Sequence, residues 1–91
     1  AFAIASFNHQ ADIYLEIAKV EHYNKNYAKA IVDTEKAKQI GEQDPLIRLR
    51  CSGQLGRFYF EQGEYLLSSI HFEKAVQIQA NLPPSQQQYD L

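Results

Sequence analysis

Histidine, cysteine and carboxylate are the side chains that can move protons, attack carbonyls or hold metals, so their spacing is the first test for catalysis. His9, His22 and His71 are separated by 13 and 49 residues, and no His-x-x-x-His pair offers two ligands on one helical face. Cys51 is the sole cysteine, which excludes an internal disulfide and a cysteine-built zinc site within this chain. Glu16, Glu21, Asp33 and Glu35 are dispersed along helical segments, where solvation is the expected state. With neither a glycine-rich phosphate loop nor a nucleophile elbow, the sequence predicts no catalytic, cofactor or metal site.

Cations are the more telling group. Residues 1–45 hold five Lys against seven acids, whereas residues 46–91 hold Arg48, Arg50, Arg57 and Lys74 against four. Arg48, Arg50 and Arg57 fall within ten residues, yet no basic run resembles the stripe that neutralises a phosphate backbone. The net charge of −2 points the same way, so nucleic acid is not expected as a direct ligand. With 45% hydrophobic and 22% charged residues, the chain has the balance of a soluble globular domain. No apolar stretch approaches the ~20 residues that cross a bilayer, and Ala1 to Ala5 is too short for a signal-peptide core. One free cysteine favours a reducing compartment, so a cytoplasmic protein is expected.

The elements that would position these residues are helices. Asp44-Pro45 reads as a helix start, because Asp accepts from the free N–H groups of the first turn and Pro suits the first helical position. Leu46, Leu49, Ser52, Leu55, Gly56, Tyr59 and Phe60 then recur at helical spacing up to Gln62, and Gly63 breaks the helix. A return helix from about Glu64 to Gln79 carries Tyr65, Ser68, Phe72, Ala75, Val76 and Ile78 on its expected inner side, and Pro83-Pro84 prevents its continuation. In the first half, Ile13, Tyr14, Ile17, Ala18 and Val20 give the expected inner face of a helix ending near Asn24. Asn26 is the expected N-cap of its partner, which carries Tyr27, Ala30, Ile31, Thr34, Ala37 and Ile40. Gly41 sits where a left-handed C-terminal cap belongs. Both turns are short, so each helix pair must lie antiparallel.

The two halves are versions of one another. Shifted forward by 38 positions, Ile17, Ala18, Tyr27, Ala30, Ala37 and Ile40 land on Leu55, Gly56, Tyr65, Ser68, Ala75 and Ile78. A fixed period in this range marks stacked helical units, each with an apolar face that a neighbour must cover. The same shift makes Ser6 an N-cap and residues 83–91 the opening of a third unit, with Ser85 and Gln88 at capping-box spacing. Residues 1–5 can either end an earlier helix or extend the first one backwards. The chain begins without Met and ends inside what reads as a new helix, so it is expected to be a piece of a larger protein.

At Leu55-Gly56-x-x-Tyr59, Gly63-Glu64-Tyr65, Phe72 and Ala75 the sequence resembles the tetratricopeptide repeat, over residues 49–82. Residues 11–44 are similar through Tyr14, Ile17, Ala18, Tyr27, Ala30 and Ala37, although Glu21 and Thr34 stand where larger apolar residues are usual. The spacing of 38 in place of the family's ~34 is similar to the longer repeats of bacterial signalling proteins and kinesin light chains. The resemblance implies an all-α solenoid in a right-handed superhelix. It would hold units at about 7–41 and 45–80, with a concave groove lined by the first helix of each.

On that resemblance the groove positions fall on Asp12, Leu15, Lys19, His22 and Tyr23 in the first unit. In the second they fall on Arg50, Gly53, Arg57, Phe60 and Glu61. Lys19, Arg50 and Arg57 would set three cations along one side, suited to an acidic peptide through charge-assisted hydrogen bonds, or would simply be solvated charges. The carboxylate-clamp members of the family use Lys and Asn where this chain has Leu15 and Lys19, so chaperone tails are not expected as ligands. Gly53 either admits a ligand backbone or is sequence drift, and Phe60 is either a groove aromatic or core. Tyr27 and Tyr65 are expected to pack at the hairpin turns, and Cys51 to be a small buried hydrophobe. The expected function is a non-catalytic protein or peptide interaction module; the alternative is a peptide-sensing regulatory domain of a bacterial signalling or transcription regulator. Exposed apolar faces at the ends of the array are expected to promote self-association.

Overall fold

The computed structural model describes the backbone of residues 2–84 and the side chains of residues 8–84. Four helices make up its regular structure: α1 (Phe2–Tyr23), α2 (Tyr27–Ile40), α3 (Pro45–Glu61) and α4 (Tyr65–Ala80). No strand occurs among the described residues, so the all-α class expected from the periodicity is observed.

The helix ends follow mostly from local chemistry. Asp44 caps α3 as its sequence predicts: Leu46 N donates to its Oδ1 at 2.9 Å, with Pro45 in the first turn. Its second oxygen accepts from Asn8 Nδ2 at 2.8 Å, which ties the start of α3 to α1. Gly63 ends α3 in the left-handed region at φ +81°, where an L side chain would be strained. The equivalent turn between α1 and α2 uses Lys25 at φ +68°, a non-glycine residue in the same role.

Several expectations about the ends are corrected. Ser6 does not mark a helix start, because α1 runs through it from Phe2; residues 2–5 extend the first helix backwards. Asn26 occupies the N-cap position of α2 but makes no side-chain capping bond. Gly41 adopts φ −97°, outside the left-handed region, and its role is spatial: a Cβ there would lie 2.8 Å from Ile47 Cβ. The proposed third unit at 83–91, with its Ser85 and Gln88 box, lies outside the described residues beyond Pro84.

Each helix pair is antiparallel. In the first, Ala11 and Leu15 cluster with Ala37, whereas Ala18 clusters with Ala30, so position rises along α1 as it falls along α2. In the second, Leu49 clusters with Ala75, and Gly56 meets α4 nearer its start, where Ser68 Oγ donates to Gly56 O at 2.7 Å. These contacts correspond across the two hairpins, since a step of 38 carries Ala11, Ala37, Ala18 and Ala30 onto Leu49, Ala75, Gly56 and Ser68. Gly56 is needed there because an added Cβ would lie 2.9 Å from the Phe72 ring.

The hairpins meet mainly through α2 and α3, with α1 also touching α3. Ile47 and Cys51 of α3 join the Ala11, Leu15 and Ala37 cluster, while Phe58 joins Ala18 and Ala30. Gln54 is the polar rivet of this joint: its Nε2 donates to Leu15 O at 3.2 Å and to Thr34 Oγ1 at 3.0 Å. Thr34 in turn donates to Ala30 O at 2.9 Å, so its hydroxyl is satisfied inside the joint.

The inner face expected for α1 is only partly the observed one. Ala11, Leu15 and Ala18 are buried, whereas Ile13, Ile17 and Val20 remain exposed. Small side chains let α1 and α2 approach closely, and that contact outranks the larger aliphatics one position over. On α4 the same correction applies to Tyr65, Phe72 and Val76, which are exposed, while Ser68 and Ala75 are buried. Phe60 is likewise exposed, not core.

Candidate functional site

Helix α3 is buried along most of its length, and its open face carries Arg50, Gly53, Arg57 and Phe60 at helical spacing. Together with α1 and α4 this face bounds a cavity of about 740 Å3. Six of the ten residues expected in the groove line it: Leu15, Lys19, Arg50, Gly53, Arg57 and Phe60. Leu15 belongs to the core as much as to the cavity, being only 1% exposed. It serves as floor.

The cavity's electrostatics are set by three cations in different states. Arg50 pairs with Asp12, its equivalent 38 positions earlier. Lys19 pairs with Glu16 at 3.2 Å across one turn of α1. Arg57 has no ion pair among the described residues, so its charge faces the opening uncompensated. Gly53 leaves open space in the wall: an added Cβ would meet nothing within 4 Å. Apolar surface comes from Phe60, 57% exposed, and from Phe72, Ala75 and Val76 of α4.

Four expected groove residues lie outside this cavity. Asp12 is held at its edge by Arg50, and Tyr23 is 86% exposed at the end of α1. His22 stacks on Phe58 with ring centroids 4.2 Å apart, and its Nδ1 lies 3.2 Å from Glu61 Oε2. These two residues therefore close the turn end of the joint between hairpins. Tyr27 packs at that turn as expected, its ring centroid 4.9 Å from that of His22; Tyr65 meets Phe60 at 5.4 Å. Phe72, Ala75 and Val76 of α4 add a wall that an assignment to the first helix of each unit leaves out, although all three fall on one expected side of α4 in the sequence.

Two carboxylates expected on the surface are instead buried together. Glu21 is 8% exposed and Asp33 5%, across the α1–α2 contact. The adjoining Asp33 carboxyl, as a hydrogen-bonding neighbour, raises the Glu21 carboxyl above its ordinary range, burial adds to this, and Lys29, 3.2 Å from Glu21 Oε2, opposes it. Lys29 is itself raised by that pairing with Glu21. Cys51 is fully buried and its thiol is pushed up to about 12 by burial, so it is not a thiolate nucleophile. His71 stacks on Tyr59 at 5.4 Å; burial lowers the imidazole, with Lys74 assisting, and burial raises the phenol. Among the described residues no group of three His, Cys, Asp or Glu side chains is arranged to hold a metal. None of these helices is long and apolar enough to cross a membrane.

Compared with known protein families, with curated proteins and with solved structures, the chain finds no match.

Proposed function

We propose that this chain is a tetratricopeptide-like interaction module that binds an acidic, partly apolar peptide or helix in the cavity over α3. The observation that carries the reading is the union, in one concave site, of an unpaired cation with exposed aromatic and aliphatic surface. Arg57 supplies charge-assisted hydrogen bonds to a carboxylate, with Lys19 and Arg50 extending the positive rim. Phe60, Phe72 and Val76 supply the apolar contact that gives such a complex most of its affinity. The walls belong to packed helices, so little ordering entropy is lost on binding.

The test is a fluorescence-anisotropy titration of an amphipathic Glu/Leu peptide of about 15 residues, compared with Gln/Leu and Lys/Leu counterparts. The acidic peptide binds best, its affinity falls with added salt, and Arg57→Glu weakens it at least tenfold. Equal binding of all three peptides, or no change in the variant, rejects the reading.

A further inference from the structure

The three arginines of α3 are split between two sides of the helix. At about 3.6 residues per turn, Arg50, Gly53 and Arg57 share the side that bounds the cavity described above, whereas Arg48 and Ser52 share the opposite one. On that opposite side α2, α3 and α4 bound a second cavity of about 400 Å3, which shares none of its described lining residues with the first. Each helix sends one cation to it: Lys38 from α2, Arg48 from α3 and Lys74 from α4. No carboxylate is found among its described lining residues. Nor does any of the three cationic side chains make an ion pair or a hydrogen bond among the described residues. Arg48 Nε is buried with no partner, which costs stability unless an acceptor reaches it. Two acids adjoin the cavity in sequence, and neither compensates it. Asp44, beside Pro45, accepts from Leu46 N and Asn8 Nδ2, and Glu35, one turn before Lys38, lies beyond ion-pairing distance of all three cations. The effect is felt at His71, one turn before Lys74: burial lowers its imidazole, and Lys74 and Lys38 add to this against the opposing pull of Glu35.

We propose that this second cavity binds a phosphomonoester group. Three like charges gathered from three helices repel one another, and a bound dianion turns that repulsion into attraction. A phosphomonoester carries about −1.5 to −2 charges near pH 7 and three strong acceptor oxygens, so each cation finds an oxygen. A single carboxylate has one charge and two oxygens, and leaves a cation unmatched. The orphaned Nε of Arg48 lies on the edge of a planar fork that can grip two phosphate oxygens at once. Ser52 adds a hydroxyl to the lining, and Pro45 and Ile78 add apolar wall for the group that carries the phosphate. The size of the cavity falls among those of small-molecule sites, which leaves room for that carrier. The carrier is a small phosphate ester or a phosphorylated side chain of another protein, and the chemistry recognised is the same in both. The site stands apart from the cavity assigned to an acidic helix, because Arg57 takes no part in it.

Isothermal titration of the full chain tests this with O-phosphoserine, with glutamate, and with a short serine-phosphorylated peptide beside its unphosphorylated form. The phosphorylated probes bind and their counterparts do not, and added salt weakens the binding. Lys74→Glu and Arg48→Gln each weaken it at least tenfold, whereas Arg57→Glu leaves it unchanged. Circular dichroism checks that the variants fold; Lys74 is exposed, so Lys74→Glu carries the test should Arg48→Gln not fold. Equal affinity for phosphoserine and phosphopeptide supports the site with a small ester as its ligand, and a much tighter phosphopeptide supports it with a phosphorylated protein. Failure of both phosphorylated probes to bind at millimolar concentration overturns the proposal, as does glutamate binding as well as phosphoserine. Lys74→Glu binding like wild type also overturns it. So does an equal loss in Arg57→Glu, which would put the anion in the other cavity and leave the acidic-helix reading standing.

Discussion

Glu21 and Asp33 show how a residue expected to be a solvated surface charge can act on stability instead. The adjoining Asp33 carboxyl favours a proton on Glu21, and burial adds to this, so Glu21 is raised above its ordinary range in the folded chain. In the window from about pH 4.3 up through that raised value, the folded state holds more protons than the unfolded one. Glu21 therefore contributes stability that is lost as pH rises through the window. Glu21→Gln keeps a donor beside Asp33 at every pH, so its urea midpoint should not fall over that range as the wild type's does. Identical slopes for the two proteins would refute the coupling. Nothing in the sequence pairs these carboxylates, because they lie on different helices and only the antiparallel register of α1 and α2 brings them together.

At the level of elements, the glycines report on helix contacts with opposite signs. Gly53 sits inside α3 with nothing near its missing side chain, so Gly53→Ala should stabilise the protein by about 1 kcal/mol through helix propensity alone. Gly41 lies against the branched carbon of Ile47 close to its backbone, so Gly41→Ala should destabilise by about 1–3 kcal/mol through overpacking. Thermal or denaturant unfolding measures both; a Gly41→Ala protein as stable as wild type would mean the α2–α3 contact is looser than described. The turns were legible for the same local reasons: Asp44-Pro45 and Gly63 each fix a backbone geometry without help from the rest of the chain. The inner faces of α1 and α4 were not. Both helices carry apolar residues on more than one side, so periodicity alone could not choose between Leu15 and Ile17, or between Ala75 and Phe72. The choice is made by the small residues that let neighbouring helices approach.

Across the whole molecule, the 38-residue correspondence that is visible in the sequence returns as corresponding contacts in two helix pairs. Only part of the candidate site is legible in that correspondence. Leu15, Lys19, Arg50, Gly53, Arg57 and Phe60 share one cavity because α3 packs beside α1. His22 and Glu61 are diverted to the joint, and α4 supplies a wall that an assignment by first helices leaves out. Under the proposed function, this cavity is where the protein recognises an acidic helix. Amide chemical-shift mapping during titration of the Glu/Leu peptide into the labelled full chain tests it most directly. Shifts are expected along Leu49–Phe60 and Phe72–Val76, with the amides around Lys29 and Lys36 unmoved. Shifts centred on those lysines, or none at all at saturating peptide, would contradict it.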